Sequence, residues 1–185
     1  MYLQEGKTML DAIEGEMCLQ DASSDLQRDR VDQLHRKAHE SFTMSLEGFD
    51  EKAAGRGRAL NSMAVVSLYF HEFDRAVEEA EKALQADFYS ERFSALTNLG
   101  WAYHKRGDNV EAMTELRQAV LLNPDFCVAR YRLAQVYLDF EMNDQALEEV
   151  QRVLADERCP IQDARRVEGV AKMRLGDARD ATGSF

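Results

Sequence analysis

The sequence predicts an all-α fold built from stacked helical hairpins. Hydrophobic residues make up 45% of the 185 residues and only two prolines occur, a composition that suits long helices. Within residues 93–126, apolar residues recur at helical spacing on both sides of a single break. The hairpin also recurs along the chain, since consistent intervals of 36, 34 and 35 residues separate Ala76, Ala112, Ala146 and Ala181.

The segment 93–126 shows why a pair of helices is expected. Its first helix has an apolar face at i, i+3, i+4 and i+7, formed by Leu96, Leu99, Gly100 and Tyr103. Arg106-Gly107-Asp108 ends this helix, because glycine can adopt the left-handed conformation and the Asp108 side chain can cap the next helix. The second helix stops at Asn123-Pro124, since the residue before proline is disfavoured in a helix. Close backbone approach is expected at three small residues, Gly100, Ala112 and Ala119.

This segment resembles the tetratricopeptide repeat, a family of 34-residue helical hairpins with the pattern W-x2-L-G-x2-Y, then A-x3-F, then P. Leu96 stands at the Trp position and Leu116 at the Phe position, and the other positions match. The resemblance implies that the hairpins stack into a right-handed α-solenoid with a thin continuous core and a concave groove. It also implies a scaffold for protein–protein interaction without enzymatic activity.

The whole chain is predicted to be one solenoid domain. Its first unit is longer and less regular than the central one, as expected for a repeat that caps the end of a solenoid. Helices are predicted in that unit at residues 2–19 and 26–46, with a polar loop between them. The predicted units are an irregular first hairpin at 1–56, regular repeats at 57–92, 93–126 and 127–161, and an incomplete repeat at 162–185.

Glycines mark the expected breaks between these elements. Gly55 and Gly57 indicate a break before the repeat that begins at residue 57. The turn of that repeat, His71-Glu72-Phe73-Asp74, lacks the usual glycine, whereas Leu175-Gly176-Asp177 indicates the turn of the fifth unit. Phe185 falls where the second helix of the fifth unit should be midway, so further residues are expected to complete that helix.

Composition argues against several classes of function. A net charge of -11, from 34 acidic and 23 basic residues, makes nucleic acid an unfavourable partner. The sequence has no apolar run near the roughly 20 residues that cross a bilayer, so no transmembrane segment is expected. It has no serine with recognisable His and Asp partners and no glycine-rich phosphate loop, so we expect neither catalysis nor a cofactor. His35 and His39 share a helix face, but no third ligand is evident and no metal site is expected.

In tetratricopeptide repeats the first helix of each pair lines the groove, so the resemblance places the partner-binding residues on those helices. Repeat packing does not explain Trp101 and Tyr131. An exposed Trp beside Tyr and Asn would form a peptide-binding hot spot; alternatively, Trp101 packs against the neighbouring repeat as part of the groove wall. The predicted partner-binding residues are Asn61, Val65, Leu68, Tyr69, Thr97, Asn98, Trp101, His104, Tyr131, Arg132, Gln135 and Leu138.

One specialised binding mode of the family is not expected. Some of its members bind a C-terminal carboxylate with five basic and amide residues that lie on three repeats. Only Asn98 and Arg132 stand at matching positions, and Asn61, Val65 and Val128 occupy the others. The sequence therefore does not predict a clamp for the C-terminal tail of a chaperone.

Cys127 and Cys159 leave two alternatives open. They lie at the start of the fourth repeat's first helix and just before that of the fifth, so stacking could bring them together. A disulfide here would close a loop of about 33 residues and contribute roughly 3 to 4 kcal/mol through lost chain entropy in the unfolded state. The alternative is a pair of partly buried free thiols.

The segments between repeats resemble a narrower group, the pilotins of the Tgl, PilF and PilW kind, which are outer-membrane lipoproteins of type IV pilus assembly. The resemblance rests on ADFYSERFSALTNLGWAYHKRGD and LADERCPIQDARRVEGVAKMRLGD and extends from Leu84 to Ala181. It implies a protein that binds a secretin subunit, or a peptide segment of one, and aids secretin assembly for pilus biogenesis and twitching or social motility.

The same resemblance implies a location at the periplasmic face of the outer membrane. The N-terminal residues lack a secretory signal, and no apolar run precedes Cys18, so this location requires a processed or trimmed form. An oxidising periplasm would favour the bond between Cys127 and Cys159. The alternative is a cytoplasmic adaptor or regulator of the same repeat family that binds a signalling or motility protein.

Overall fold

The computed structural model describes Gln4, residues 25–47 and residues 54–182. Residues 25–47 and 54–182 contain eight helices and no strand, which confirms the all-α prediction for this part of the chain. Apart from Gln4, the helix predicted at residues 2–19 lies outside the described residues, as do most of the loop after it and the side chain of Ala181. The helices are α1 Asp25–Glu47, α2 Ala54–Tyr69, α3 Phe73–Gln85, α4 Arg92–Arg106, α5 Asn109–Leu122, α6 Cys127–Asp139, α7 Asn143–Ala155 and α8 Ala164–Thr182.

Consecutive helices pack as antiparallel hairpins, α2 with α3, α4 with α5 and α6 with α7. Helix α1 packs on α2, and α8 packs on α7, so the helices at both ends of the array also pack on their neighbours in the chain. The alanines Ala76, Ala112 and Ala146 are fully buried where the helices of each hairpin meet. Their regular spacing therefore reflects one repeated contact, as expected of a solenoid with a thin core.

Gly100 lies at the closest contact between α4 and α5. A Cβ atom there would be 2.7 Å from the Leu116 Cγ and 3.0 Å from the Ala112 carbonyl oxygen. Real Cβ atoms do not approach other atoms so closely, so only glycine allows the two helices to pack at this distance. The prediction that small residues mark the helix contact is confirmed at this hairpin.

The turns inside three hairpins each contain one residue with a positive φ angle. Gly107 ends α4 with φ at 102°, and its amide donates to the Tyr103 carbonyl oxygen at 2.9 Å. His71 and Glu141 adopt positive φ values of 62° and 58° at the corresponding turns after α2 and α6. The sequence predicted that the turn after α2 lacks the usual glycine. The structure shows that His71 adopts the left-handed conformation there instead.

Three local predictions are wrong. Asp108 does not cap α5, because its carboxylate pairs with the Arg106 guanidinium. Gly55 and Gly57 lie inside α2, and Gly57 is needed because Tyr89 packs where its Cβ would be, 2.6 Å from the Tyr89 Cγ. Gly176 does not form a turn, because α8 continues through it; a helical glycine costs only about 1 kcal/mol relative to alanine.

No helix in the described part of the chain is long and apolar enough to cross a bilayer. The longest, α1, has charged residues on several faces, including Arg30, Asp32, Arg36 and Glu40.

Candidate functional site

The first helices of the hairpins form the inner surface of the array. Helices α2, α4, α6 and α8 contact one another in that order, whereas the second helices α3, α5 and α7 make no contact with each other within 54–182. Elements that lie closer together occupy the inside of a curve. The predicted assignment of the groove to the first helices therefore agrees with the observed helix contacts.

A chain of polar side chains crosses this inner surface from α2 to α6. Asn61 donates to the Ser94 hydroxyl at 3.2 Å, and Asn98 donates to the Asn61 amide oxygen at 2.9 Å. Arg132 in turn donates to the Asn98 amide oxygen at 2.9 Å and to the Thr97 carbonyl oxygen at 3.2 Å. Three residues that the sequence placed in the groove, one from each of three hairpins, thus form a connected network.

Arg132 is a cation without a carboxylate partner in the described part of the chain. Both of its hydrogen-bond acceptors are neutral oxygens, and its guanidinium carbon lies 5.4 Å from the centre of the Trp101 ring. Burial lowers the pKa of Arg132 to about 10, because the protein replaces water around the charged group. The side chain stays protonated at neutral pH, so an accessible anion would complete its coordination.

Trp101 lies half-buried at the centre of this surface with a second cation over its ring. The Lys105 Nζ is 4.3 Å from the ring centre, and Lys105 makes no ion pair with a described carboxylate. Each cation is attracted to the ring because the ring face is electron-rich. The region defined by Trp101, Lys105 and Arg132 is called the Trp101 site below; Asn98 is only 5% exposed and contributes to it by accepting a hydrogen bond from Arg132.

His104 bounds the Trp101 site on one side. Its ring centre is 5.1 Å from that of Trp101, its Nδ1 is 3.0 Å from the Asn109 amide oxygen, and its Nε2 is 3.1 Å from the Asp139 carboxylate. Asp139 is thus the carboxylate that contacts this side of the site, and it pairs with His104.

Tyr131 and Tyr69, the other predicted groove aromatics, are held by neighbouring helices. The Tyr131 hydroxyl donates to the Asp163 carboxylate at 3.1 Å, and burial with this carboxylate raises the pKa of Tyr131. The Tyr69 ring stacks on His35 at 3.6 Å. Tyr131 therefore makes a contact between repeats, as Trp101 does with Arg132, and both rings are half-buried.

The remaining predicted groove residues divide by burial. Thr97 and Leu138 are 1% and 7% exposed, so their side chains cannot contact a partner, contrary to the prediction. They lie on the core side of α4 and α6, and only their carbonyl oxygens take part in the inner surface, as acceptors for Arg132 and Arg174. Val65 is exposed, and Leu68 and Gln135 are half-buried.

A second polar cluster joins α1 to the hairpin of α2 and α3. The buried Glu79 accepts from Ser67 at 2.6 Å and from Arg75 at 3.0 Å, and Arg75 donates to the His39 Nε2 at 2.6 Å. His39, Ser67 and Arg75 border a cavity of about 360 Å³ that Val66 and Phe70 also line. Since His39 is engaged in this way and His35 is stacked on Tyr69, the two histidines do not face a common ligand.

Metal ligation has no site in the part of the chain that the structure describes, since no three His, Cys, Asp or Glu side chains there could hold an ion together. Cys127 and Cys159 instead form a disulfide, with Cα atoms 5.9 Å apart. This bond joins the first residue of α6 to the segment that precedes α8. It lies close in sequence to Tyr131 and Arg132.

Sequence reasoning missed two features of this surface. The ties from Tyr131 to Asp163 and from Tyr69 to α1 depend on residues outside the repeat pattern, so no repeat position identifies them. The absence of a carboxylate partner for Arg132 also requires three-dimensional placement. The only sequence feature that pointed to an anion site at Arg132 was that Asn98 and Arg132 match two positions of the family's carboxylate-binding pattern.

Comparison with known families agrees with this architecture. Two overlapping sequence profiles described as tetratricopeptide repeat match residues 63–125 and 103–161, which together cover more than half of the chain. No curated protein matches the chain significantly in sequence.

Among solved structures, the chain is similar to the MamA protein, with a TM-score of 0.63 and 18% identity over 97% of this chain and 87% of that one. It is similar to the tetratricopeptide repeat domain of Sgt2 from Aspergillus fumigatus, with a TM-score of 0.61 and 19% identity over 67% and 82%. It is also similar to the first such domain of Spaghetti (RPAP3) bound to the HSP90 peptide SRMEEVD, with a TM-score of 0.58 and 18% identity over 68% and 98%. Identities this low establish the fold alone, and together with the matching profiles they show that the chain belongs to the tetratricopeptide repeat proteins.

Proposed function

We propose that this protein is a non-enzymatic adaptor that binds an acidic segment of a partner protein at the Trp101 site. The observation that carries the proposal is the pair of cations, Arg132 and Lys105, that lie on the Trp101 ring without a described carboxylate partner. In a chain of net charge -11, such a spot attracts acidic side chains that the rest of the surface repels.

The neighbouring groups suit a bound peptide. A carboxylate next to Arg132 would gain charge-assisted hydrogen bonds, which are stronger than neutral ones, and Trp101 offers apolar area to an adjacent side chain. The structure of Spaghetti (RPAP3) contains an acidic peptide, SRMEEVD, and this precedent from the same fold supports the choice of ligand. The residues of the chaperone-tail clamp other than Asn98 and Arg132 are absent, so we propose a different acidic sequence.

Selection from a phage-displayed library of random dodecapeptides tests the proposal without assuming a partner. We expect the selected peptides to be rich in Asp and Glu, and to bind about tenfold or more weakly to Arg132→Gln because one charge-assisted contact is lost. Lys105→Gln is a second, exposed variant that should weaken the same peptides without affecting the fold. Peptides without excess acid, or unchanged binding by both variants, would contradict the proposal.

Matched controls separate the Trp101 site from general charge and aromatic effects. Arg152→Gln removes an exposed cation from the second helix α7, and Phe88→Ala removes an aromatic that is 80% exposed on the loop between α3 and α4. Neither control should change binding, whereas Arg132→Gln and Trp101→Ala should. Circular dichroism melts of all four variants show whether each remains folded.

A finer proposal is that the partner is a secretin subunit and that the protein acts as a pilotin in type IV pilus assembly. Its support is the sequence resemblance between Leu84 and Ala181, together with a disulfide compatible with an oxidising compartment such as the periplasm. None of the three similar structures above is described as a pilus protein. The competing proposal is a cytoplasmic adaptor for a signalling or motility protein.

An affinity pulldown from the native organism distinguishes these two proposals. Recovery of a secretin by the wild-type protein, and its loss in Trp101→Ala, would support the pilotin and its use of the groove. Recovery of soluble cytoplasmic proteins alone would contradict the pilotin.

A further inference from the structure

Each described hairpin has a contact at an equivalent position that joins its two open ends. In three successive repeats, the start of the first helix contacts the segment that follows the second helix. Gly57 packs against Tyr89, Phe93 packs against Phe126 with ring centres 5.0 Å apart, and Cys127 is bonded to Cys159. Only the third of these joints is covalent.

The noncovalent joints have large side chains that the third joint lacks. Tyr89 is 5% exposed and fills the space beside Gly57, and the pair of phenylalanines provides two aromatic rings. Two unbonded cysteine side chains would bury much less apolar area than either of these pairs. The third joint therefore depends on its covalent bond more than the other two depend on any single interaction.

The polar contacts across the third joint are exposed, and its apolar part is the partly buried Ile161, which packs against the core of the last repeats. Arg158 lies 3.7 Å from Asp125, with both side chains more than 70% exposed, and the Tyr131 hydroxyl donates to Asp163. Exposed ion pairs of this kind contribute little to stability. Helix α8 has a separate attachment to α7 through its buried residues Ala164, Val167 and Ala171.

We propose that the Cys127–Cys159 disulfide is a redox-sensitive clasp, whose reduction loosens the segment 156–163 and the first turn of α6 while the earlier repeats keep their structure. In the reduction, an external dithiol transfers two electrons and two protons to the bond. The protein then has two thiols and the dithiol becomes a cyclic disulfide. Helix α6 carries Tyr131 and Arg132, so the clasp connects redox state to the inner surface of the array.

Hydrogen–deuterium exchange with mass spectrometry tests the clasp on the full chain, using dithiothreitol as the reductant. A Cys18→Ser background removes the third thiol. We expect amide exchange in 156–163 to increase at least tenfold on reduction, while exchange in the α4–α5 hairpin changes less than twofold. Circular dichroism at the same reductant concentration should show a folded protein.

The double variant Cys127→Ser, Cys159→Ser in the same background is the matched control. It should exchange like the reduced protein and should not respond to dithiothreitol. An unchanged exchange pattern on reduction, or an equal increase over all repeats, would overturn the proposal. Titration of two free thiols in protein prepared and denatured without reductant would overturn it as well, because the bond would then not form.

Discussion

Replacing Gly100 by alanine tests the closest helix contact of the fold. The added methyl group would lie 2.7 Å from the Leu116 Cγ, 3.0 Å from the Ala112 carbonyl oxygen and 3.2 Å from the Leu116 amide nitrogen. Two of these three atoms belong to the backbone of α5, so no side-chain rotation relieves the overlap. Helices α4 and α5 must move apart instead.

The size of the effect follows from two opposing contributions. Alanine is favoured over glycine in a helix by about 1 kcal/mol. Overpacking of a filled core typically costs about 1 to 3 kcal/mol, and the upper part of that range applies because backbone atoms are involved. We expect Gly100→Ala to lower the free energy of unfolding by about 1 to 2 kcal/mol.

Gly169→Ala is the matched control, because it makes the same chemical change inside a helix. A Cβ at Gly169 meets no atom within 4 Å, so the helix preference acts alone and stability should rise by about 0.5 to 1 kcal/mol. Urea denaturation followed by circular dichroism measures both variants. If Gly100→Ala were as stable as the wild-type protein, the helices of this hairpin could not be packed as closely as the structure shows.

Three further predictions concern the turns and the buried polar groups. Replacing His71 or Glu141 by glycine should raise the free energy of unfolding by up to about 1 kcal/mol each in urea titrations, because both residues adopt positive φ. Burial lowers the pKa of His35 from 6.5 to about 4, so the folded state favours the neutral ring. Protonation of His35 in the unfolded state therefore does not reduce the free energy of unfolding above pH 6.5, but should reduce it by up to about 3 kcal/mol as pH decreases from 6.5 to 4. Ser67→Ala should cost about 1 to 3 kcal/mol in thermal or urea melts, because it removes the donor that lies 2.6 Å from the buried Glu79 carboxylate.

Each of these predictions has an internal control. Alanine in place of Glu141 should not stabilise, because it keeps the Cβ that disfavours a positive φ. His35→Leu should remove the part of the pH dependence that arises from His35, and an unchanged pH profile would contradict the role of its burial. Ser67→Thr keeps a hydroxyl and should retain more stability than Ser67→Ala; equal losses would show that the hydrogen bond is not the cause.

The sequence predicted features that recur in every repeat, but of the contacts that join different repeats it anticipated only the pairing of Cys127 with Cys159, as one of two alternatives. Gly100 and Ala112 were identifiable as a helix contact because the requirement for small side chains lies within one hairpin. The hydrogen bond between Asn98 and Arg132 depends on how two hairpins are placed, which a pattern within one repeat does not encode. Predictions from local sequence were also wrong where another side chain competed. Asp108 was expected to cap α5, but its carboxylate pairs with Arg106 instead.

The helix contacts of this solenoid determine whether its two ends unfold together or independently. Every contact between described helices joins elements at most two apart in the chain, so no interaction links α2 directly to α6 or α8. In such an array each repeat is held only by its neighbours, and the ends can open independently of the middle. A peptide bound along α2, α4 and α6 would contact α2 and α6 at the same time, and these two helices do not otherwise contact each other. Its binding should therefore make unfolding of the array more cooperative as well as less favourable.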